Sequence, residues 1–198
     1  MSDLQNMYTA LSLEIAAVAR YQDHQSRTED PQVYALLQGL MRNEVGHEHE
    51  LVKHIHRLGG DTAEASKLPG PSLPSMIYEG AEIAGQKTNL AMLRADMSFE
   101  QEAVRIYHEF AAQAEEEAIK GLFIEFARAE KGHVNGLRFI IKEFEDATHE
   151  VQFVCPVCGW PVSYGANPAA GAESRCRMCG VLFALNEEDG DFALERSR

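Results

Sequence analysis

The chain has 198 residues, 45% of them hydrophobic, and a formal net charge of −13. That length fits one large domain plus one small one, and that composition is sufficient for a buried core. The negative charge argues against nucleic acid or an anionic membrane surface as the main partner, because both are themselves negatively charged.

The first 60 residues predict two long amphipathic helices joined by a short turn. Apolar side chains recur every three or four positions over residues 2–27 and again from Pro31 to Leu58. Asp30 precedes Pro31, and this pair ends one helix and can start the next. Both apolar faces are interrupted by acidic or imidazole side chains, which are Glu14, Glu44 and His47.

The following residues predict a long connection and then a second pair of helices. Residues 61–74 hold three of the seven prolines and suggest a crossover, and residues 75–85 suggest a short helix along it. Two more amphipathic helices are predicted over 88–114 and 116–146. Their apolar faces are interrupted at Glu100, Glu130 and His133. A short turn within each pair and one long crossover between the pairs favour a ferritin-like four-helix bundle.

The two helix pairs are related by an internal repeat. Four polar residues recur 86 positions later without a gap, so that Glu14, Tyr21, Glu44 and His47 return as Glu100, Tyr107, Glu130 and His133. A fixed offset over such a span indicates a duplicated helical hairpin. One Glu from each of two helices and a Glu-x-x-His from each of the other two are the ligands that a carboxylate-bridged metal pair takes in a four-helix bundle.

Four Glu that point into one bundle core repel one another unless cations balance their charge. The i, i+3 spacing within each Glu-x-x-His puts both side chains on one helix face. This donor set suits iron, and manganese or zinc would also bind. A single Glu-x-x-His more often marks a solvated face, but here two of them lie inside apolar stripes. We therefore expect a two-metal site in the bundle core.

Two tyrosines accompany this predicted site. Tyr21 and Tyr107 lie two helical turns after Glu14 and Glu100, on the same faces. A phenol in that position can donate a hydrogen bond to a ligating carboxylate and so orient it. An ordinary core tyrosine with some other hydrogen-bond partner is the alternative. We expect both tyrosines to contact the ligand set.

All four cysteines lie in two Cys-x-x-Cys pairs separated by 17 residues, namely Cys155, Cys158, Cys176 and Cys179. Four thiolates in two such pairs bind one tetrahedral metal. Short apolar runs beside them suggest a small β-rich domain that is too small to fold on its own core. Iron would make this site a one-electron carrier, and zinc would make it a structural ribbon. Paired cysteines without an export signal indicate metal rather than disulfides, so we expect a cytoplasmic protein.

Together these motifs resemble rubrerythrin, a ferritin-like di-iron bundle followed by a rubredoxin-like domain with one iron on four thiolates. The resemblance covers nearly the whole chain, with residues 1–148 as the bundle and 149–198 as the rubredoxin-like domain. It implies that two irons are held by Glu14, Glu44, His47, Glu100, Glu130 and His133. It implies a further iron, with zinc as the alternative, on Cys155, Cys158, Cys176 and Cys179. Trp160 stands where rubredoxins place an aromatic residue.

The resemblance also implies a reaction and its partners. Rubrerythrins bind hydrogen peroxide at the reduced di-iron centre and cleave the O–O bond, and electrons return from the iron–tetrathiolate site. This transfer usually crosses the interface of a head-to-tail homodimer. We therefore expect a peroxide reductase in oxidative-stress defence, acting on hydrogen peroxide or O2 as a homodimer with an unidentified electron donor. No nucleic-acid or membrane partner is expected.

Two positions depart from the family pattern. Rubrerythrin has an extra Glu one turn after the ligand on the third helix, where this chain has Ala103. Glu102 is adjacent, but two residues after Glu100 is about 200° around the helix, so it should point elsewhere. Pro156 lies in the first cysteine pair, whereas rubredoxins usually carry that proline in the second. Iron oxidation with Fe(II) as substrate, or a metal-binding scaffold with a zinc ribbon, are the alternatives that these departures leave open.

The remaining polar candidates carry weaker signals. Six histidines have no matching partner at the repeat positions and are expected at the surface, namely His24, His49, His54, His56, His108 and His149. Residues 115–117 are three successive Glu and predict a solvated helix start, where the helix dipole favours negative charge. The sequence offers no phosphate-binding loop and no Ser/His/Asp arrangement.

Overall fold

The structure is a computed structural model that describes residues 2–67, 86–188 and 190–197. Its larger part consists of four long helices, α1 (Asp3–Arg27), α2 (Pro31–Arg57), α3 (Gln86–Gln113) and α4 (Glu117–Glu145). Each begins and ends within a few residues of the helix predicted from the sequence. The predicted crossover contributes a short 3-10 helix, Thr62–Lys67. The short helix predicted over 75–85 lies outside the described residues.

Two helix starts are fixed by side chains that satisfy free backbone N–H groups. Ser2 Oγ accepts a hydrogen bond from the N–H of Gln5 at 3.3 Å, at the start of α1. The Asp30 carboxylate accepts from the N–H groups of Gln32 and Val33 at 2.9 and 3.0 Å, at the start of α2. The Asp30 cap explains why the turn between α1 and α2 can be short.

Contacts between α1 and α3 show that these two helices run antiparallel. The Asp3 carboxylate, at the start of α1, accepts the N–H groups of Glu115 and Glu116, which follow α3. Tyr21, near the end of α1, instead contacts Glu100 in the middle of α3. Positions therefore rise along one helix as they fall along the other. This arrangement confirms the predicted ferritin-like bundle and decides which repeated residues face each other.

One apolar core lies between the four helices. Its fully buried side chains include Met7, Leu37, Leu51, Ile55, Leu93, Ile119 and Phe123. Full burial of a side chain of this size contributes about 1.5–3 kcal/mol relative to exposure. The polar residues of the predicted site lie inside this core rather than at its edge, so the bundle must hold them against their preference for water.

The C-terminal part is small and built from strands, as predicted. It contains β1 (Glu150–Val154), β2 (Pro161–Ala166), β3 (Glu173–Arg175), β4 (Leu182–Glu188) and β5 (Asp191–Arg196). β1 and β2 form one antiparallel sheet, and β3, β4 and β5 form another. The last helix ends at Glu145 and the first strand begins at Glu150, and the division between residues 148 and 149 stays a prediction.

His149 joins the two parts of the chain. The expectation that it lies at the surface was wrong, because only 4% of it is exposed. Its Nε2 is 2.7 Å from Asp30 Oδ2, and its ring stacks on Phe144 with centroids 3.9 Å apart. The N–H of Val154 donates to the carbonyl of Glu29 at 3.3 Å. The first strand is thereby fastened to the turn between α1 and α2.

Among the described residues, no helix has both the length and the apolar character needed to cross a membrane.

Candidate metal centres

The bundle brings together all six residues predicted to bind metal, and each is at most 8% exposed. Their ligand atoms form two overlapping groups, within each of which all atoms lie within 4.8 Å of one another. The first group contains Glu14, Glu44, His47 and Glu130, and the second contains Glu44, Glu100, Glu130 and His133. Glu44 and Glu130 belong to both groups. Two metal ions bound there would share Glu44 and Glu130, and Glu14 and Glu100 would each serve one of them.

The two imidazoles occupy equivalent places on opposite sides of the bridging pair. His47 Nδ1 lies 3.0 Å from Glu44 Oε2 and 3.1 Å from Glu130 Oε1. His133 Nδ1 lies 3.0 Å from Glu44 Oε1 and 2.7 Å from Glu130 Oε2. Each bridging carboxylate thus turns one oxygen toward each histidine. This near-twofold arrangement follows from the sequence repeat.

The chemistry of these atoms fits a pair of metal ions. Seven buried atoms of the set make no directed hydrogen bond, namely both carboxylate oxygens of Glu44 and of Glu130, Oε2 of Glu100, and Nδ1 of His47 and of His133. The imidazole nitrogens lie close to the oxygens without pointing an N–H at them. Buried donors and acceptors without partners cost about 1–3 kcal/mol each. Cations between them would satisfy all seven.

Protons and metal ions compete for the same atoms. Burial, followed by the neighbouring charges of Glu44 and Glu130, raises the pKa of Glu14 to about 8, although contact with His47 lowers it. Burial lowers the pKa of His47 and of His133, but contacts with the carboxylates outweigh this effect and raise both to about 12. Burial also raises the pKa of Glu130, yet contacts with the two imidazoles bring it down to about 2. Metal binding must therefore displace protons from the site.

Tyr21 and Tyr107 each contact a ligand carboxylate, as expected, and that carboxylate belongs to the other helical hairpin. The Tyr21 hydroxyl donates to Glu100 Oε1, and the Tyr107 hydroxyl donates to Glu14 Oε1. Both rings are fully buried. Burial, together with the nearby carboxylates, raises the pKa of both phenols well above its usual range, so both stay protonated donors. The two terminal carboxylates are thereby fixed in orientation.

The position at which rubrerythrins carry an extra Glu is buried in this chain. Ala103 is buried in the core. Glu102 points away from the site, as predicted, and pairs with Arg105 at the surface. Within the described residues, no further carboxylate joins the two groups of ligand atoms.

Sequence reasoning missed two neighbours of the imidazoles. Asn43 Oδ1 lies 2.8 Å from His133 Nε2, so that nitrogen donates the hydrogen bond and Nδ1 is turned to the metal site. The ring of Phe126 stacks on His47 with centroids 4.2 Å apart. The repeat gave no signal for either residue, because their equivalents are Ala129 and Leu40. The two halves of the site are therefore not identical.

The expectation of surface histidines holds for only part of the set. His49, His56 and His108 are exposed and His54 is partly exposed. His24 was placed wrongly, since only 3% of it is exposed and its Nδ1 lies 3.0 Å from Asp96 Oδ2. Position 24 is three residues after Tyr21 and so on the same helix face, which is the signal that could have revealed its burial.

The four cysteines converge in the C-terminal part, and none of them forms a disulfide. Cys155 Sγ is 3.6 Å from Cys179 Sγ, and Cys158 Sγ is 3.5 Å from Cys176 Sγ. A tetrahedral site with metal–sulfur bonds of about 2.3 Å has sulfur–sulfur edges of about 3.8 Å, so the spacing fits one metal ion. Hydrogen bonds from the backbone N–H groups of Cys179 and Met178 lower the pKa of Cys176 to about 6 and favour its thiolate, although burial opposes this.

Both cysteine pairs sit in equivalent backbone turns. The N–H of Gly159 donates to the carbonyl of Cys155 at 2.8 Å, and the N–H of Gly180 donates to that of Cys176 at 2.9 Å. The two glycines have φ of +74° and +75°, a conformation that L side chains rarely adopt. One cysteine of each pair is buried and the other lies at the surface. The metal site is thus anchored in the small core yet close to solvent.

Comparison with known proteins gives one family-model match and several structures of similar fold. Residues 91–157 match the family model for rubrerythrin. A hypothetical protein from Pyrococcus furiosus is 20% identical, with a TM-score of 0.63 over 74% of this chain and 92% of that one. Bacterioferritin from Rhodobacter capsulatus is 22% identical, with a TM-score of 0.56 over 74% of this chain and 90% of that one.

One solved structure extends over the C-terminal part as well. Nigerythrin is 17% identical, with a TM-score of 0.54 over 98% of this chain and 86% of that one. At these identities the structural likeness establishes the fold alone, and no curated protein sequence matches significantly. With the family-model match and the two metal-type sites, the chain resembles rubrerythrin, as its sequence predicted.

Proposed function

We propose that this protein is a non-haem di-iron oxidoreductase that reduces hydrogen peroxide to water. The observation that carries the proposal is that one chain brings together two groups of ligand atoms of different kinds, each suited to metal. The carboxylate and imidazole site suits a pair of irons that meet an oxygen substrate, and the four-thiolate site suits a single iron that transfers one electron at a time. A redox-active thiolate site argues against iron oxidation as the sole activity, because that reaction needs no internal electron donor.

Each residue of the bundle site has a distinct role in the proposed reaction. Glu44 and Glu130 lie between the two positions, Glu14 and Glu100 close the ends, and His47 and His133 face the bridging pair. Two irons bound there would supply the two electrons that cleavage of the O–O bond consumes. Burial of the whole set excludes bulk water, while a substrate as small as peroxide needs only a narrow path. Tyr21 and Tyr107 hold the terminal carboxylates in place.

The proposal includes the partners that the family resemblance implied. Hydrogen peroxide, with O2 as the alternative, is the substrate, and an electron donor reduces the iron–tetrathiolate site. The chain works as a homodimer. In it, the iron–tetrathiolate site passes electrons to a bundle site, either in its own chain or in the partner chain. The acidic net charge of −13 supports a role without nucleic acid or membranes. Cysteines grouped for one metal ion rather than for disulfides support a cytoplasmic location. The role in oxidative-stress defence follows from the proposed peroxide reduction.

A second candidate function is iron oxidation, with Fe(II) as the substrate. The buried Ala103 favours it, because the ligand groups then contain the six residues alone, without the additional carboxylate typical of rubrerythrin. A third candidate is a metal-binding scaffold with a structural zinc ribbon. It requires that the cysteine site hold zinc and that the bundle carry out no turnover.

The first experiment is a visible spectrum of the iron-loaded protein, reduced without air and then given hydrogen peroxide. A ferric tetrathiolate band that bleaches on reduction and returns rapidly with peroxide supports a peroxidase in which the thiolate site passes electrons to the bundle site. Cys176→Ser should remove the band and leave the metal content of the bundle unchanged. Absence of the band in a wild-type protein with iron in its bundle means that the cysteine site holds zinc, and iron oxidation or the scaffold role then takes precedence.

Glu100→Ala separates an enzyme from a scaffold. Loss of peroxide turnover in this variant, with the cysteine site still loaded, argues against the scaffold. Retained turnover contradicts the assignment of Glu100 to the reacting metal pair.

A further inference from the structure

One contact breaks the near-twofold symmetry of the bundle site. Nε2 of His133 donates a hydrogen bond at 2.8 Å to Oδ1 of Asn43, which belongs to the other helical hairpin. The repeat equivalent of Asn43 is Ala129, whose methyl group accepts no hydrogen bond. Within the described part of the chain, Nε2 of His47 has no hydrogen-bond partner. The two imidazoles of the site are therefore held by different means.

The contact is made by the ring nitrogen that does not face the ligand carboxylates. His133 turns its Nδ1 toward the bridging pair, at 3.0 Å from Glu44 Oε1 and 2.7 Å from Glu130 Oε2. A neutral imidazole that binds metal through Nδ1 carries its one proton on Nε2. Asn43 accepts from that nitrogen, so it selects the tautomer and holds the ring in the orientation that metal binding requires.

His47 is held by stacking instead. Its ring packs on Phe126 with centroids 4.2 Å apart. Stacking orients the plane of a ring but exerts no directed attraction on either nitrogen. Burial does not distinguish the two imidazoles, because 7% of His47 and 8% of His133 is exposed. Other contacts come in matched pairs, since each terminal carboxylate accepts from a tyrosine and each imidazole lies close to both bridging carboxylates.

We propose that Asn43 is a positioning residue that makes the two metal positions unequal. The position served by Glu100 and His133 binds its ion more tightly and fills first. The position served by Glu14 and His47 fills second and releases its ion more readily. The inference rests on the proposed function in taking the bundle site to hold two metal ions. Loss of such a partner of a ligating imidazole weakens metal binding about 10–100-fold, which sets the expected gap between the two positions.

Unequal positions tie the proposed activity to the supply of metal. Reduction of hydrogen peroxide follows H2O2 + 2H⁺ + 2e⁻ → 2H2O, and two Fe(II) supply the two electrons as they become two Fe(III). A protein with one ion, at the position of His133, cannot supply both electrons. Occupancy of the position beside His47 therefore decides whether the bundle site is competent for the reaction.

The test is a titration of protein whose four-cysteine site is loaded with zinc and whose bundle is metal-free. With Co(II) in competition with a chelator, wild-type protein should show two steps whose dissociation constants differ about 10–100-fold. Asn43→Ala should weaken the tighter step by this factor and bring the two steps together. Asn43→Asp keeps an acceptor oxygen and should keep the tighter step. Position 43 is exposed and Ala favours a helix, so α2 stays intact.

Asn135→Ala is the matched control, because it removes an exposed amide that accepts from Arg138 at 3.2 Å rather than from a ligand. It should titrate like the wild type.

Nitrogen NMR gives a second readout that does not depend on turnover. With one equivalent of Zn(II) per bundle, the ring nitrogens of His133 should shift before those of His47, with the signals assigned by their loss in His133→Gln. Earlier or simultaneous shifts of the His47 ring in the wild type overturn the inference, as do unchanged steps in Asn43→Ala. Protein that loads in the expected order yet fails to reduce peroxide overturns the proposed function and supports this inference. A bundle that binds no metal overturns both.

Discussion

The two buried tyrosines allow a direct test of how the bundle holds its metals. Tyr107→Phe removes one hydroxyl and leaves the packing of the ring against Phe123 and Phe126 in place. The lost hydrogen bond goes to Glu14, and hydrogen bonds to charged groups contribute about 1.5–3 kcal/mol. With 1.4 kcal/mol per factor of ten, binding at the position that Glu14 serves should weaken about ten- to hundredfold.

The assay uses protein whose four-cysteine site is already loaded with zinc and whose bundle is metal-free. Titration with Co(II) in competition with a chelator then gives one dissociation constant for each of the two bundle positions. Tyr107→Phe should weaken the position shared by Glu14 and His47, and Tyr21→Phe should weaken the position shared by Glu100 and His133. Tyr8→Phe is the matched control, since its hydroxyl accepts the N–H of Asp61 at 3.0 Å and belongs to neither group. Equal affinities in Tyr107→Phe and wild type would refute the argument that this hydroxyl orients the ligand.

Three further predictions follow from the geometry of the site and of the domain junction. Glu130→Ala should lower metal occupancy at both positions, because Glu130 belongs to both ligand groups, whereas Glu14→Ala should lower it at one position. Metal analysis after gel filtration measures the loss in each variant. Equal losses in the two variants would contradict the bridging geometry. Because the pKa of Glu14 is raised to about 8, its carboxyl holds a proton below that pH and releases it above, so metal affinity of the bundle should rise as pH increases through about 8. With the four-cysteine site loaded beforehand, calorimetry in buffers of different ionisation enthalpy counts the protons released when Zn(II) binds the bundle, and zero release would contradict the prediction. His149→Ala removes a hydrogen bond to Asp30 and the stacking on Phe144, worth together about 2–4 kcal/mol, and urea denaturation should show the loss, with the exposed His56→Ala as control.

Much of the candidate site could be predicted because its information is local or repeated. The i, i+3 spacing of Glu and His within apolar stripes is a property of single helices, and the offset of 86 residues links the two hairpins without any knowledge of their packing. The cysteine pairs likewise carry their geometry within a few residues. Helix ends were predictable for the same reason, since caps such as Ser2 and Asp30 act over three residues.

What the sequence did not predict depends on contacts between distant segments. The division into bridging and terminal carboxylates requires the relative rotation of all four helices. The donation from Tyr21 to Glu100, rather than within its own hairpin, follows only from the antiparallel approach of α1 and α3. His24 and His149 were placed wrongly because their partners, Asp96 and Asp30, lie 72 and 119 residues away. The helix face that His24 shares with Tyr21 indicates burial, but no periodic pattern identifies these distant partners.

The near-twofold ligand arrangement has a consequence for how such a protein can originate and diversify. A single hairpin that paired with an identical copy of itself would already assemble the complete set of carboxylates and imidazoles. Joining the two copies in one polypeptide removes the requirement that both change together. Asn43 opposite Ala129, and Phe126 opposite Leu40, are positions where each copy has diverged separately. The fused chain can therefore give its two metal ions different surroundings, which a symmetric pair of identical hairpins cannot.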